Sequence, residues 1–138
     1  MTIEEALTRF SGDRFALDAA GVEITAVGEK TAECTVRLRP EHLNSLGRPM
    51  GGLIFTLADF CFAVAANADV MGTVSQSANI TFLSAAQGKT LTARARCIRD
   101  GRTTCLYQVD VADEAGALVA YVTVSGYHTA CNMEEEPT

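Results

Sequence analysis

The stretch MGGLIFTLADFCFAVAANADVM, residues 50–71, decides the fold, because it is long and apolar yet carries an acidic residue near its centre. Of its 22 residues 16 are apolar, and none is a Lys or Arg that could pair with Asp59. Placing an unpaired carboxylate in apolar surroundings costs several kcal/mol, unless its pKa rises or specific partners bind it. Asp59 is therefore a candidate for acid–base or nucleophilic chemistry on a buried substrate.

Two other interpretations of this segment are open. Its length would allow a membrane span, but Asp59, Asn67 and Asp69 are poor residues for lipid and no basic flank orients the segment. Alternatively, Asp59 is a structural residue whose carboxylate bonds to backbone or water in a packed interior. A functional carboxylate remains our leading interpretation.

The composition is that of a soluble globular protein, with 48% apolar and 20% charged residues among 138. We expect a single domain over residues 1–130, followed by an acidic, disordered tail over residues 131–138. The formal charge of −6 argues against nucleic acid as the default partner. The N-terminus is acidic and has no apolar signal region, which favours a cytoplasmic protein.

The cysteines indicate neither a disulfide framework nor a metal site, because they are odd in number, scattered and without C-x-x-C spacing. Most of them lie in apolar patterns, where a free cysteine behaves as a small core residue. We therefore expect no metal and a reducing compartment. The cysteines are Cys34, Cys61, Cys97, Cys105 and Cys131.

The periodicity along the chain predicts a short helix, two strands, the long apolar helix and four more strands. Ile3, Leu7 and Phe10 recur at helical spacing, whereas residues 32–39 alternate between apolar and polar. A helix that is apolar nearly all round must be covered on most sides. The sequence thus predicts an α+β fold in which a curved antiparallel sheet wraps around one long central helix. One such unit leaves a sheet edge uncovered, which favours a dimer.

The spacing of Gly51 and Asp59 suggests a site shared between subunits. Eight residues on one helix separate them by about 12 Å along the axis and roughly 80° in azimuth. Two antiparallel helices could instead bring the free N–H groups at one helix start beside Asp59 of the partner subunit. Gly51 would let a carbonyl oxygen approach closely, while Asp59 attacks the carbonyl carbon or activates water. The alternative for the Gly51–Gly52 pair is a tight turn before a helix.

Other polar residues near the helix are weaker candidates. The amide of Asn44 could orient a water or the substrate carbonyl, or it could satisfy its own turn. We interpret His42 and His128 as surface residues, since neither has the Ser or Cys context of a catalytic triad. Ser75 and Ser77 flank the start of a strand and lack an identifiable base.

Basic residues crowd the third and fourth of the six predicted strands. On an acidic protein they could hold a phosphorylated carrier. The alternative is an ordinary solvated face of the sheet. These residues are Lys89, Arg94, Arg96, Arg99 and Arg102.

The segment HLNSLGRPMGGLIFTLADFCFAVAAN, residues 42–67, resembles the signature of hotdog-fold acyl-CoA thioesterases of the phenylacetic acid degradation type. Residues 77–127 are also similar to that family, and the likeness covers roughly residues 10–128. The resemblance implies the hotdog fold, a homodimer and commonly a homotetramer. It also implies a hydrolase that cleaves acyl-CoA to a free acid and coenzyme A, with no cofactor beyond the coenzyme A of the substrate.

The resemblance implies a role for individual residues. Asp59 matches the family's catalytic carboxylate, Gly51 its carbonyl-polarising N–H and Asn44 its loop amide. Ser75 matches a serine that some members place near the attacking water. We assign substrate contacts to Met50, Gly52, Ser75, Ser77, Arg99 and Arg102.

One departure from the family pattern concerns the helix start. Family members usually have His-Gly-Gly, whereas this chain has Met50-Gly51-Gly52. Met can neither titrate nor donate a strong hydrogen bond, but the Gly51 N–H survives the change. We expect reduced activity or a more apolar acyl preference. Met50 also motivates an alternative, a hotdog protein that binds acyl-CoA without cleaving it. A hydratase fits less well, because His42 lies eight residues before Met50.

Overall fold

The computed structural model describes residues 1–129, so the predicted tail over residues 131–138 and Cys131 lie outside the described residues. Six strands and two α-helices follow the predicted order. A π-helical turn (Phe15–Ala19) and a 3-10 turn (Pro40–His42) join them. The elements are α1 Ile3–Arg9, β1 Val22–Gly28, β2 Thr31–Arg37, α2 Gly51–Asn67, β3 Thr73–Phe82, β4 Thr90–Asp100, β5 Thr104–Asp113 and β6 Leu118–His128.

The six strands form one antiparallel sheet in the order β1-β2-β4-β5-β6-β3, and it packs around α2. Alternation decides which face each side chain takes: along β5, Tyr107, Val109 and Val111 are buried and their neighbours are less so. α2 contributes ten buried residues to the core. The predicted α+β hotdog architecture is confirmed. Among the described residues no helix is both long enough and apolar enough to cross a membrane.

Both ends of α2 are fixed by the chain around them. At the start, the Met50 N–H donates to the His42 carbonyl at 2.8 Å, and the preceding loop closes through a bridge between Leu43 and Pro49. At the end, the Asn67 side chain accepts from the Thr73 N–H at 2.8 Å and donates to the Thr73 carbonyl at 3.0 Å. The Asn67 side chain therefore joins the end of the helix to the start of β3 across residues 68–72, and the position of each α2 residue along the sheet is set.

Strand β3 is an edge of the sheet. It pairs with β6 on one side and with no other strand of residues 1–129 on its other side. Its sequence, TVSQSANITF, contains no proline and no charged residue, and most of its positions are exposed. Proteins usually protect such edges with charges, prolines or a covering element. This edge is open to pairing with another strand.

Candidate active site

Asp59 lies half-buried on α2, in a groove of about 330 Å³ between α1, α2 and the start of β3. Burial raises the pKa of its carboxyl above the usual range, and the negative charge of Asp13 acts in the same direction. Within residues 1–129 the carboxylate makes no hydrogen bond or ion pair. A structural carboxylate would bond to backbone or a cation, so the geometry favours the functional interpretation.

The groove combines apolar walls with a few polar groups. Phe10, Phe62 and Met71 supply apolar surface, while Ser75 and Asp13 face the same space as Asp59. Small-molecule sites generally have this composition, a mainly apolar surface with a small number of placed polar groups. The arrangement suits a ligand that is mainly apolar and places a polar group beside the carboxylate.

The two serines of β3 lie on opposite faces of the sheet. Ser75 pairs with Gly126 and points to the helix side, whereas Ser77 pairs with Ser125 on the outer side. A β-bulge between them causes this change of face. The structure therefore brings Ser75, but not Ser77, to the Asp59 groove.

Gly51 is the first residue of α2, and Met50 before it provides no side-chain cap. The Gly51 N–H has no acceptor within the described part of the chain, so it is available to a ligand oxygen beside the positive end of the helix dipole. A Cβ at this position would approach Cζ of Phe82 to 3.0 Å. The Phe82 ring therefore lies against the helix start, and glycine leaves room for it. Met50 and Gly52 are exposed beside it.

Asn44 stabilises its own turn and keeps both N–H groups of its side-chain amide available. Its Oδ1 accepts from the backbone N–H groups of Leu46 at 2.9 Å and Arg48 at 3.2 Å. This is the turn role that the sequence left open. The Nδ2 donors, however, have no acceptor among residues 1–129. Because the loop is tied to the start of α2, these donors belong to the Gly51 end of the molecule.

Within one chain the candidates at the start of α2 remain apart from a second group, Asp59 and Ser75. Met50 and Gly52 line a cavity of about 420 Å³ with Phe15 and His42, whereas Asp59 lines the groove with Ser75. Neither space contains residues of both groups. This agrees with the separation that helix geometry predicts for positions eight residues apart.

The interpretation of both histidines as surface residues is wrong. His42 is 6% exposed, because the loop folds back so that the Arg39 N–H donates to its Nδ1 at 3.0 Å. Burial lowers its pKa, and the nearby Arg39 charge adds to this effect. The His128 side chain is half-buried between Thr73 and Asp100. The spacing Arg39-x-x-His42 could have signalled the contact between these two residues. No sequence signal marks the contacts of His128 with Thr73 and Asp100.

The basic residues do not form one patch. Lys89 precedes β4, while Arg99 lies near its other end, about 30 Å away at 3.3 Å per residue. Arg94 pairs with Glu33 at 2.8 Å, as expected for a solvated sheet face. Arg99 and Arg102 are exposed at the β4–β5 end, which is the end of the sheet where β3 begins.

Comparison with known proteins identifies the family. The model of the thioesterase superfamily matches residues 46–120. The chain is 32% identical to the acyl-coenzyme A thioesterase PaaI of Escherichia coli, covering 74% of each chain. It is 33% identical to human acyl-coenzyme A thioesterase 13, over 70% of this chain and 69% of that one.

The fold comparison agrees. A hypothetical thioesterase of Streptococcus pneumoniae, crystallised with coenzyme A, superposes with a TM-score of 0.80 at 26% identity, covering 87% of this chain and 96% of that one. Sequence, fold and an unpaired carboxylate in an apolar groove thus agree: the chain belongs to the thioesterase superfamily, as a thioester hydrolase with the hotdog fold.

Proposed function

We propose that the enzyme hydrolyses an acyl-CoA thioester to a carboxylic acid and coenzyme A, at sites that two protomers share. The observation that carries this proposal is the half-buried Asp59 carboxylate, without a partner in residues 1–129, in a largely apolar groove. Relatives named acyl-coenzyme A thioesterases and a homologous structure with coenzyme A support the substrate class.

Each shared site would combine the two groups of residues that one chain keeps apart. The Gly51 N–H and the Asn44 amide donate to the thioester carbonyl oxygen, which becomes negative as the carbon is attacked. Asp59 of the partner subunit removes a proton from water, and the water oxygen bonds to the carbonyl carbon. The C–S bond then breaks, and the leaving thiolate takes the proton that Asp59 accepted. Direct attack by Asp59, followed by hydrolysis of the anhydride, gives the same products.

The open edge of β3 supports a homodimer as the working unit. Pairing between the β3 strands of two protomers would cover an uncharged edge that is ten residues long. It would also place the Asp59 groove, which β3 borders, at the junction between protomers. We further propose a tetramer built as a dimer of dimers.

The surroundings of Gly51 favour an apolar acyl group. Met50 and Phe82 are 59% and 53% exposed there, which leaves two large apolar side chains without cover in the single chain. Arg99 and Arg102 lie at the end of the sheet where β3 begins, and there they supply positive charge for the phosphates of the substrate. The four free cysteines among residues 1–129 fit the reducing cytoplasm, where we place the enzyme.

A panel of acyl-CoA substrates, assayed by release of free thiol, tests this function. We expect turnover to be fastest with apolar acyl groups and to depend on Asp59. Thermal stabilisation by acyl-CoA without any thiol release would favour the alternative, a hotdog protein that binds acyl-CoA without cleaving it. Conversion of an enoyl-CoA without thiol release would instead indicate a hydratase.

The pH dependence of hydrolysis should change when the negative charge of Asp13 is removed. Ionised Asp59 is the active form, so kcat/KM rises with pH through its pKa. Because the negative charge of Asp13 helps to raise this pKa, Asp13→Asn should move the acid limb of the profile to lower pH. The measurement is kcat/KM across the acid range. The control is Asp18→Asn, because Asp18 is an exposed carboxylate that pairs with Arg14 outside the groove. This variant should leave the acid limb of the pH profile unchanged. An equal shift in both variants would contradict a specific Asp13–Asp59 interaction.

A further inference from the structure

Three potential metal ligands converge on the helix side of the sheet, at the ends of adjacent strands. They are Asp100 at the end of β4, Cys105 near the start of β5 and His128 at the end of β6. One carboxylate oxygen, the Cys105 Sγ and one ring nitrogen of His128 all lie within 4.8 Å of one another. We propose that these side chains form a binding site for a divalent transition-metal ion of the Zn²⁺ type.

The register of the strands explains why residues distant in sequence meet here. Asp100 pairs with Cys105, which in turn pairs with Gly126. A β-bulge between Cys97 and Arg99 shifts the alternation of β4, so that Asp100 points to the same side as Cys105. At Gly126 a Cβ would come within 2.7 Å of the Cys105 Sγ, so glycine leaves the sulfur its space.

Two of the three candidate ligands are held by outer partners, as the ligands of metal sites usually are. The Thr73 Oγ1 lies 2.8 Å from Nδ1 of His128, and Nε2 is turned towards Asp100. The Lys30 ammonium binds Oδ2 of Asp100 at 2.9 Å, which leaves Oδ1 facing the cluster. Nε2 and Oδ1 are 2.7 Å apart, which is hydrogen-bond distance. A metal ion would take the place of this hydrogen bond.

The donor set fits zinc in type and charge. Sulfur, imidazole nitrogen and carboxylate oxygen are its usual ligands, and Cys and Asp together supply two negative charges. Tetrahedral coordination needs ligand atoms about 3.3–3.6 Å apart. Nε2 and Oδ1, now 2.7 Å apart, would therefore separate by roughly 0.6 Å, and the Cys105 Sγ, which lies within 4.8 Å of both, would complete the set of ligands. The side chains of Asp100 and His128 are 28% and 13% exposed, which allows water in the fourth position.

Metal binding would have to displace the proton of Cys105. Burial raises the pKa of this thiol to about 11, so the thiol form is favoured when no metal is bound. A bound ion would link β4, β5 and β6 and, through Thr73, the first residue of β3. We therefore expect the metal to raise the thermal stability of the protein.

Cobalt titration of the full-length chain, stripped of metal with EDTA, tests the site. Co²⁺ should give a near-ultraviolet thiolate-to-cobalt charge-transfer band at one ion per chain, and Zn²⁺ should abolish it by competition. Cys105→Ser should lose the band, while the matched Cys97→Ser should retain it. Thr73→Val should weaken binding by about 10- to 100-fold, because it removes an outer hydrogen bond.

Three results would overturn the proposal. One is the absence of a charge-transfer band in the wild-type chain. Another is a band that survives in Cys105→Ser, and the third is a band lost in Cys97→Ser alone. Circular dichroism checks that each variant is folded. Should Cys105→Ser fail to fold, His128→Asn replaces it: the band should weaken or vanish, and an unchanged cobalt affinity would exclude the site.

Discussion

Asp59→Asn is expected to lower kcat/KM for the best acyl-CoA substrate by about 10²- to 10⁴-fold, the usual contribution of a positioned acid–base group. Asparagine has nearly the shape of aspartate, but its amide can neither accept the proton of water at neutral pH nor attack a carbonyl carbon. The assay is thiol release under steady-state conditions. Unchanged kcat/KM would remove Asp59 from the mechanism.

The same variant should be at least as stable as the wild type at neutral pH. Burial raises the pKa of Asp59 in the folded chain, so the unfolded chain loses this proton at lower pH. Between the two pKa values the folded chain binds more protons, so the free energy of unfolding falls as pH rises through that window. Above both pKa values the free energy of unfolding stays lower. Below both of them Asp59 is protonated in the folded and the unfolded chain and does not affect stability. Asparagine removes this cost.

Thermal unfolding therefore separates a catalytic role from a structural one. Asp59→Asn should melt at or above the wild-type temperature at neutral pH, with the difference disappearing in acid. Asp69→Asn is the matched control, because Asp69 is exposed just after the same helix; it should alter neither activity nor stability. A large loss of stability at Asp59 would mean that activity falls because the fold is damaged.

The central helix and its sheet were predictable because both depend on hydrophobic periodicity. The apolar run of residues 51–67 requires cover on most sides, and alternating strands can supply it. The separation of Gly51 from Asp59 was predictable for the same reason, since helix geometry fixes it. These features follow from local sequence and need no knowledge of strand register.

Features that depend on register were not predictable. A bulge at Ser75–Ser77 and another at Cys97–Arg99 change the face of the residues that follow them. Nothing in the alternation of TVSQSANITF marks the first bulge, so both serines seemed equivalent. Likewise, His128 and Asp100 are 28 residues apart in sequence and meet only because β4, β5 and β6 are adjacent.

Gly51→Pro is expected to lower kcat by about 10²- to 10³-fold, the usual cost of losing one oxyanion donor. Proline is well accepted at the first position of a helix, because the N–H that it lacks has no helical partner there. Met50 has φ −64° and ψ 140°, a conformation that a following proline favours. The substitution thus removes the proposed donor and leaves the helix in place.

Two alanine variants isolate the role of the N–H. Gly51→Ala keeps it and adds a Cβ against the exposed Phe82 ring, which can turn aside; its loss of activity should be much smaller. Gly52→Ala adds a Cβ that meets nothing within 4 Å, so the fold tolerates it and any loss of activity measures the proposed contact of Gly52 with the substrate. Equal losses in Gly51→Ala and Gly51→Pro would show that space at the helix start matters and the donor does not.

Mixing the two inactive variants tests whether the site is shared. A dimer of one Asp59→Asn protomer and one Gly51→Pro protomer has both defects in one site and neither in the other. Random exchange should therefore restore about a quarter of the wild-type activity, since half of the dimers are mixed and each has one intact site. Mass spectrometry confirms that exchange has occurred. If mixed dimers form without recovering activity, Gly51 and Asp59 do not act across protomers, and the spacing along α2 would need another explanation.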